Sequence, residues 1–241
     1  MVTAEDLSAR VLYRDAMMLV IDKPAGLAVH ASGRDDAHLG LYLDQLRFGL
    51  PQSPELAHRL DRDTAGCLVL GRHRQALKRL GAMFAHGRVE KVYWAVVDGR
   101  PDGPAGVIDA PLAKVDPRRT WRMKIDPGGQ PAVTEWRLLG RGERQSWLEC
   151  RPKTGRTHQI RVHLASIGCP IAGDPIYGAS EAPAGLARLN LCARSVSLPL
   201  YPRKPAITVI APVPAHMLAA LAACGWGDEP MAADPADFPM T

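Results

Sequence analysis

Residues 58–70 read His58-Arg-Leu-Asp-Arg-Asp-Thr-Ala-Gly-Cys-Leu-Val-Leu70. Two kinds of sequence meet in this stretch. The last four residues are a short apolar run closed by Gly71, the pattern of a buried strand. The nine before them are dense in charge and end in Thr-Ala-Gly, which suits a turn. Polar groups are therefore presented where a loop enters a sheet. Asp61 stands between Arg59 and Arg62, two cationic neighbours suited to an ionised carboxylate. Asp61 or Asp63 capping a turn, with the arginines on the surface, fits the same letters.

Short strands and isolated helices alternate on both sides of this stretch. Met18-Leu-Val-Ile-Asp22 reads as a strand, stopped by Lys23-Pro24-Ala25-Gly26. Leu39, Leu43 and Leu46 have helical spacing within 38–48. Residues 73–86 place Ala76, Leu77, Leu80, Met83 and Phe84 on one stripe, with Gly87 as the stop. Lys91-Val-Tyr-Trp-Ala-Val-Val97 reads as a strand. Residues 98–131 are rich in Gly and Pro and carry Lys114, Arg118, Arg119, Arg122 and Lys124. They read as a basic, loop-rich excursion, either a solvated hairpin or an RNA-facing arm. Strands are predicted at 132–139 and 146–151, then a helix over 157–167 capped or opened by Thr157. Strands near 189–198 and 206–210 and a helix over 214–224 complete the core. This order predicts an α+β fold with a central mixed or mostly antiparallel sheet flanked by helices and loops. A doubly wound fold would need a regular strand–helix alternation, commonly with a Gly-rich first turn.

The formal charge of the 241-residue chain is +5. From Trp226 onward there are four acids and no bases, which leaves +9 on residues 1–225. A basic body suits a polyanionic partner, because Lys and Arg displace counterions from phosphates. The 226–241 tail, rich in acids, Pro and Ala, is expected to be disordered, and 1–225 to form a single catalytic domain. Five scattered cysteines without CxxC spacing fit a reduced, cytoplasmic protein better than a disulfide scaffold. No secretion signal is visible and no apolar stretch approaches the roughly 20 residues of a membrane span. With no long exposed apolar stripe left over, a monomer is expected.

Residues Lys153-Thr-Gly-Arg-Thr-His-Gln-Ile-Arg-Val-His163 form a second polar cluster, at the start of the helix predicted from Thr157. Arg156, His158, Arg161 and His163 supply many donors in a short span. The gap between the histidines does not match the i, i+4 pair of a helical zinc site. Thr154-Gly155-Arg156 at a helix start can bind phosphate through backbone N–H groups, but the P-loop spacing is absent. A Ser-His-Asp hydrolase lacks its GxSxG elbow, and phosphoryl transfer lacks a metal-carboxylate cluster.

Together these segments resemble the RluA-type family of pseudouridine synthases. His58-Arg-Leu-Asp-Arg-Asp-Thr-Ala-Gly66 is similar to the family's HRLDxxTSG motif, with Ala65 where Ser is usual. Lys91-Val-Tyr-Trp-Ala95 matches KxYxA, and Thr154-Gly-Arg-Thr-His-Gln-Ile-Arg-Val-His163 matches TGRxHQxRxH. Asp22-Lys-Pro-Ala-Gly26 resembles NKPxG, with Asp for Asn, and Gly173-Asp-Pro-Ile-Tyr-Gly178 resembles GDxxYG. The five motifs keep the family's order between about residues 11 and 213.

The resemblance implies the pseudouridine synthase fold, with a catalytic cleft along the sheet. It implies isomerisation of a uridine in structured RNA, 23S rRNA or tRNA, with no cofactor and no metal. Asp61 is then the catalytic aspartate, Tyr93 the active-site tyrosine and Arg161 the basic residue that pairs with the aspartate. Arg59 enters the space left by a flipped-out base, and His58, Arg156 and His158 join the RNA-binding set. The first core element begins near residue 11, so the N-terminal S4 domain that many members carry is not expected. Two rival readings remain: a catalytically silent RNA-binding or chaperone module, and a hydrolase or glycosidase using Asp61 with Asp63. The second would need two carboxylates on opposite sides of a scissile bond, which close positions on one loop rarely provide.

Overall fold

The computed structural model describes residues 7–31, 37–116, 122–178 and 188–227. The chain forms two compact units, residues 1–91 with 192–214, and residues 92–191 with 215–241. Arg118, Arg119 and nearly all of the acidic tail lie outside the described residues.

The first unit opens with a hairpin of β1 (Val11–Arg14) and β2 (Met18–Lys23). Asp15 shapes its turn: Oδ1 accepts from the Met17 and Met18 N–H groups, both at 2.8 Å. The Tyr13 and Tyr201 hydroxyls donate to Oδ2. After a 3-10 helix (Leu39–Arg47) and the two-residue β3 (Glu55–Leu56) comes β4 (Ala65–Gly71). Every residue of β4 is buried, as the unbroken apolar run predicts. β2 and β3 pair with it antiparallel. Helix α1 (Arg74–Ala85) follows, with His73 Nδ1 accepting from the Ala76 N–H at its start. It buries Ala76, Leu80 and Met83, and the last two join Met18, Val20, Cys67 and Val69 in one core. Gly87 has φ +65°, the left-handed conformation predicted for the helix stop.

The second unit is built on β5 (Glu90–Asp98, in this unit from Val92), β6 (Ala105–Asp109), β9 (Val133–Arg141) and β10 (Gln145–Pro152). Their order is β5-β10-β9-β6, antiparallel throughout. The short β7 (Leu112–Lys114) and β8 (Met123–Ile125) make a separate hairpin. The 98–131 excursion is thus more ordered than its Gly and Pro content suggests. β6 gains its partner from β9, a pairing set by residues far away in the chain. Helix α2 (Gln159–Ser166) lays Ile160 and Leu164 against Ala95, Val97, Leu148 and Cys150.

The chain then returns to the first unit through β11 (Leu191–Leu198), which runs parallel to β4, and β12 (Ile207–Ile210) beside it. The first unit's sheet is therefore mixed. Gly66 sits at φ +104°, and a Cβ there would lie 2.3 Å from the Ala193 carbonyl oxygen. Only glycine lets β11 come this close to the base of the 58–66 loop. Helix α3 (Ala215–Ala223) ends the described core.

Lys23, fully buried at the end of β2, ties this framework to that loop. Its Nζ donates to the carbonyl oxygens of Pro24 (2.8 Å), Leu27 (2.9 Å) and Arg62 (2.9 Å). The Gly26 N–H donates to the same Arg62 oxygen, and Arg62 Nε donates to the Gly26 oxygen. Burial pushes the Lys23 ammonium down to about 7, against the pull of Asp63, Asp61 and Asp22.

Two outcomes follow for stability. Lys23→Met keeps the bulk but strips three carbonyls of their shared donor, and should cost about 2–4 kcal/mol in urea unfolding at neutral pH. Three histidines are shifted below their ordinary range in the folded chain. His58 is pushed down to about 3 by burial and by Lys91, and burial lowers His163 and His216. Unfolded, each titrates near 6.5. The unfolded state therefore binds more protons below that value, and stability present above pH 6.5 is lost as pH falls toward 3. A urea midpoint flat between pH 7 and pH 4.5 would contradict this.

Candidate active site

The His58–Gly66 loop in the first unit uses its residues in two directions. His58 turns inward. Its Nε2 accepts the Val69 N–H at 3.0 Å, and its ring stacks on Phe84 of α1, centroids 4.2 Å apart. Leu60 and Thr64 are buried, and the Thr64 N–H donates to the Asp61 carbonyl oxygen. Arg59 and Arg62 are exposed, and Asp61 between them is partly buried. The loop thus presents a carboxylate beside an exposed guanidinium, with the histidine spent on holding the loop to β4.

In the second unit Tyr93 lies on β5 opposite Cys150 of β10, packed against the core formed with α2. The 153–163 segment is organised by Gln159, whose side chain makes four hydrogen bonds. Its Oε1 accepts from Thr154 Oγ1 (2.7 Å) and the Arg156 N–H (3.0 Å). Its Nε2 donates to the Val133 oxygen (2.9 Å) and Thr134 Oγ1 (3.0 Å). The helix does not begin at Thr157. His158 occupies the cap position in the left-handed conformation, φ +54°, with no side-chain capping bond. Gln159 satisfies the preceding turn instead, so no Thr cap is required.

Arg161 on α2 is buried and meets Asp174 in a two-pronged ion pair. Nε donates to Oδ2 at 2.8 Å, and a terminal nitrogen donates to Oδ1 at 2.7 Å. Burial acts to raise the Asp174 carboxyl, but Arg161 and the Ile176 and Tyr177 N–H groups outweigh it and hold it below the usual range. The planar fork fixes the guanidinium's orientation as a single point charge would not. Tyr177 lies under the same guanidinium, 5.3 Å from ring centroid to Cζ. The Tyr177 hydroxyl oxygen accepts the Met123 N–H at 2.8 Å and lies 2.8 Å from His158 Nδ1. His158 is buried in this network, whereas Arg156 is exposed, its Nε donating to the Pro131 oxygen.

The sequence offers Asp61, Tyr93 and Arg161 as candidate reacting residues but gave no role to Lys23, Gln159, Asp174 or Tyr177. All four lie inside quoted motifs, and that membership was the only signal for them. Gly178 shows why its motif ends in glycine: a Cβ there would sit 2.4 Å from the Asp174 carbonyl oxygen.

The sequence profile of the family described as RNA pseudouridylate synthase matches residues 17–166, a span that includes Lys23, Asp61, Tyr93 and Arg161. A Zymomonas mobilis protein named as an uncharacterized RNA pseudouridine synthase is 44% identical over 210 residues, covering 86% of this chain and 95% of that protein. The ribosomal large subunit pseudouridine synthase C of Vibrio cholerae is 37% identical over 223 residues, covering 90% of this chain and 69% of that protein. Among solved structures, human RNA pseudouridylate synthase domain containing 4 superposes with a TM-score of 0.77 at 27% identity, over 92% of this chain and 95% of that one. The match therefore extends from single motifs to the fold of nearly the whole chain, and the chain belongs to the RNA pseudouridylate synthase family.

Proposed function

We propose that Asp61 is the carboxylate with which this pseudouridine synthase isomerises a uridine in structured RNA, and that ribosomal large-subunit RNA is its first candidate substrate, with tRNA the second. The names of relatives such as the Vibrio cholerae protein support the ribosomal choice. The observation that carries the reading is the pinned loop. Lys23 and Gly26 both donate to Arg62, the neighbour of Asp61, while Arg59 is left exposed. A reacting carboxylate needs such a fixed backbone, because small displacements from the productive geometry lose much of the rate.

The reaction breaks the bond from uracil N1 to ribose C1′, turns the base, forms the C5–C1′ bond and returns the C5 proton to N1 or solvent. No electrons are gained or lost overall. The uridine must first leave its stack, at a cost of a few kcal/mol. Arg59 fills the vacated space, its planar guanidinium stacking and donating hydrogen bonds. Asp61 acts on the sugar or base as nucleophile or as general base. Tyr93 stacks on the uracil and takes the C5 proton. Arg161, oriented by Asp174, is the cationic partner of the reacting carboxylate. Arg156 contributes to RNA affinity. His58 and His158, given their inward contacts, serve that role through the segments they hold. Residues 1–225 act as one catalytic domain, as a monomer in the cytoplasm. The five buried free thiols are consistent with a reducing compartment.

The test uses unmodified large-subunit rRNA and tRNA transcripts, with pseudouridine mapped at nucleotide resolution. Asp61→Asn should lower turnover by roughly 10²–10⁴-fold while RNA affinity is retained. Undiminished turnover would remove Asp61 from the chemistry. A wild-type protein that binds both RNAs and modifies neither would favour a silent binding module. In the same assay Asp174→Asn should lower kcat by about 10²-fold with little change in KM. Unchanged kcat would deny Asp174 its positioning role.

A further inference from the structure

From Thr64 to Val89 the chain contains no Asp or Glu, although 25 of the 241 residues are acidic. Helix α1 occupies the centre of this stretch. Its core-facing stripe is apolar, and its outward face carries Arg74, Lys78 and Arg79, continued past the helix end by Arg88. All four side chains are exposed, and none makes an ion pair among the described residues. Local physics disfavours this arrangement. Arg74 opens a helix whose first turn has no acid, where the macrodipole prefers negative charge. Arg74 and Lys78 are like charges at i, i+4, a repulsive spacing. Gln75, Ala82, Ala85 and His86 make up the rest of the exposed face. The two alanines leave it low enough for close approach.

The helix that carries this face is joined to the catalytic loop through its other, core-facing side. Phe84, near the C-terminal end of α1, stacks on His58, three residues before Asp61. From Arg74 to Phe84 the helix rises about 15 Å. The cations Arg74, Lys78 and Arg79 lie within the first half of that rise and Arg88 adds a fourth beyond the helix end, so the helix that carries the cationic face also braces the loop of Arg59 and Asp61.

We propose that the outward face of α1 is a docking surface for the phosphate backbone of the RNA duplex that flanks the target uridine. Single-stranded RNA is recognised by a charged groove combined with aromatic side chains on which successive bases stack. The exposed face of α1 offers no Phe, Tyr or Trp for that purpose, and a row of cations suits a phosphate backbone. The face holds the substrate without reading its sequence, and leaves the choice of uridine to the loop. This inference rests on the RNA-modifying role given above.

The test compares wild type with Lys78→Ala/Arg79→Ala, a pair outside the catalytic machinery, after unfolding curves confirm that both are folded. Binding is measured to a generic RNA hairpin with a long stem across a range of salt. The double variant should reduce the slope of log Kd against log salt by about 1.4–1.8, the loss of two phosphate contacts. On rRNA transcript its KM should rise about tenfold near physiological salt with kcat unchanged. A single-stranded oligonucleotide of equal length should bind both proteins alike. Equal slopes on the hairpin, or equal loss on both probes, would overturn the proposal. Because the hairpin assay needs no turnover, that failure is distinct from failure of the catalytic reading, which would show as a wild-type protein that forms no pseudouridine.

Discussion

A fully buried ammonium normally opposes folding, because removing its charge from water costs several kcal/mol. Lys23 persists at the end of β2 because all three of its N–H groups meet carbonyl oxygens, and because Asp22, Asp61 and Asp63 lie close enough to favour its charge. One of those oxygens belongs to Arg62, 39 positions further along the chain. A single side chain thus couples a β-strand end, the 24–27 turn and the loop of Asp61. Gly66 adds a second constraint on that loop from the β11 side, where no larger residue fits. The carboxylate stands on a backbone held from both directions.

The second unit solves the matching problem for a cation. Arg161 is held by Asp174, and the segment leading into its helix by the four hydrogen bonds of Gln159. His163, buried between Thr134 and the Ala110 oxygen, extends the network into β9. Each of these polar groups would be costly if left unpaired. Satisfied together, they define one arrangement of the α2 entry. In both units most of the polar residues in a motif hold the few that are proposed to react.

The sequence was most legible where one local signal dominated. The apolar run at 67–70, the stripe at 76–84 and the hydrophobic stretch at 91–97 became β4, α1 and β5, with small shifts at their ends. It was least legible where a partner distant in the chain decided the outcome. β6 and the β7–β8 hairpin lie in a stretch whose Gly and Pro content reads as loop, and β6 becomes a strand because β9 offers it an edge. The start of α2 was misplaced because Thr157 is a good cap by composition, whereas Gln159 satisfies the turn through contacts to β9. His58 and His158 are expected to contact RNA because the motifs that hold them are. The fold turned them toward Val69 and Tyr177.

By itself, then, the sequence determined the class of fold, the order of the motifs and the identity of the candidate reacting groups. Those depend on residue type and on spacing along the chain, which are written in the letters. Tertiary structure alone decided which polar residues are spent as supports: Lys23 under the Asp61 loop, Asp174 behind Arg161, Gln159 across to β9. Each is a contact between segments well separated in the chain or in different elements. Whether a buried polar group finds its partner depends on where the backbone brings the two together, which no local pattern encodes.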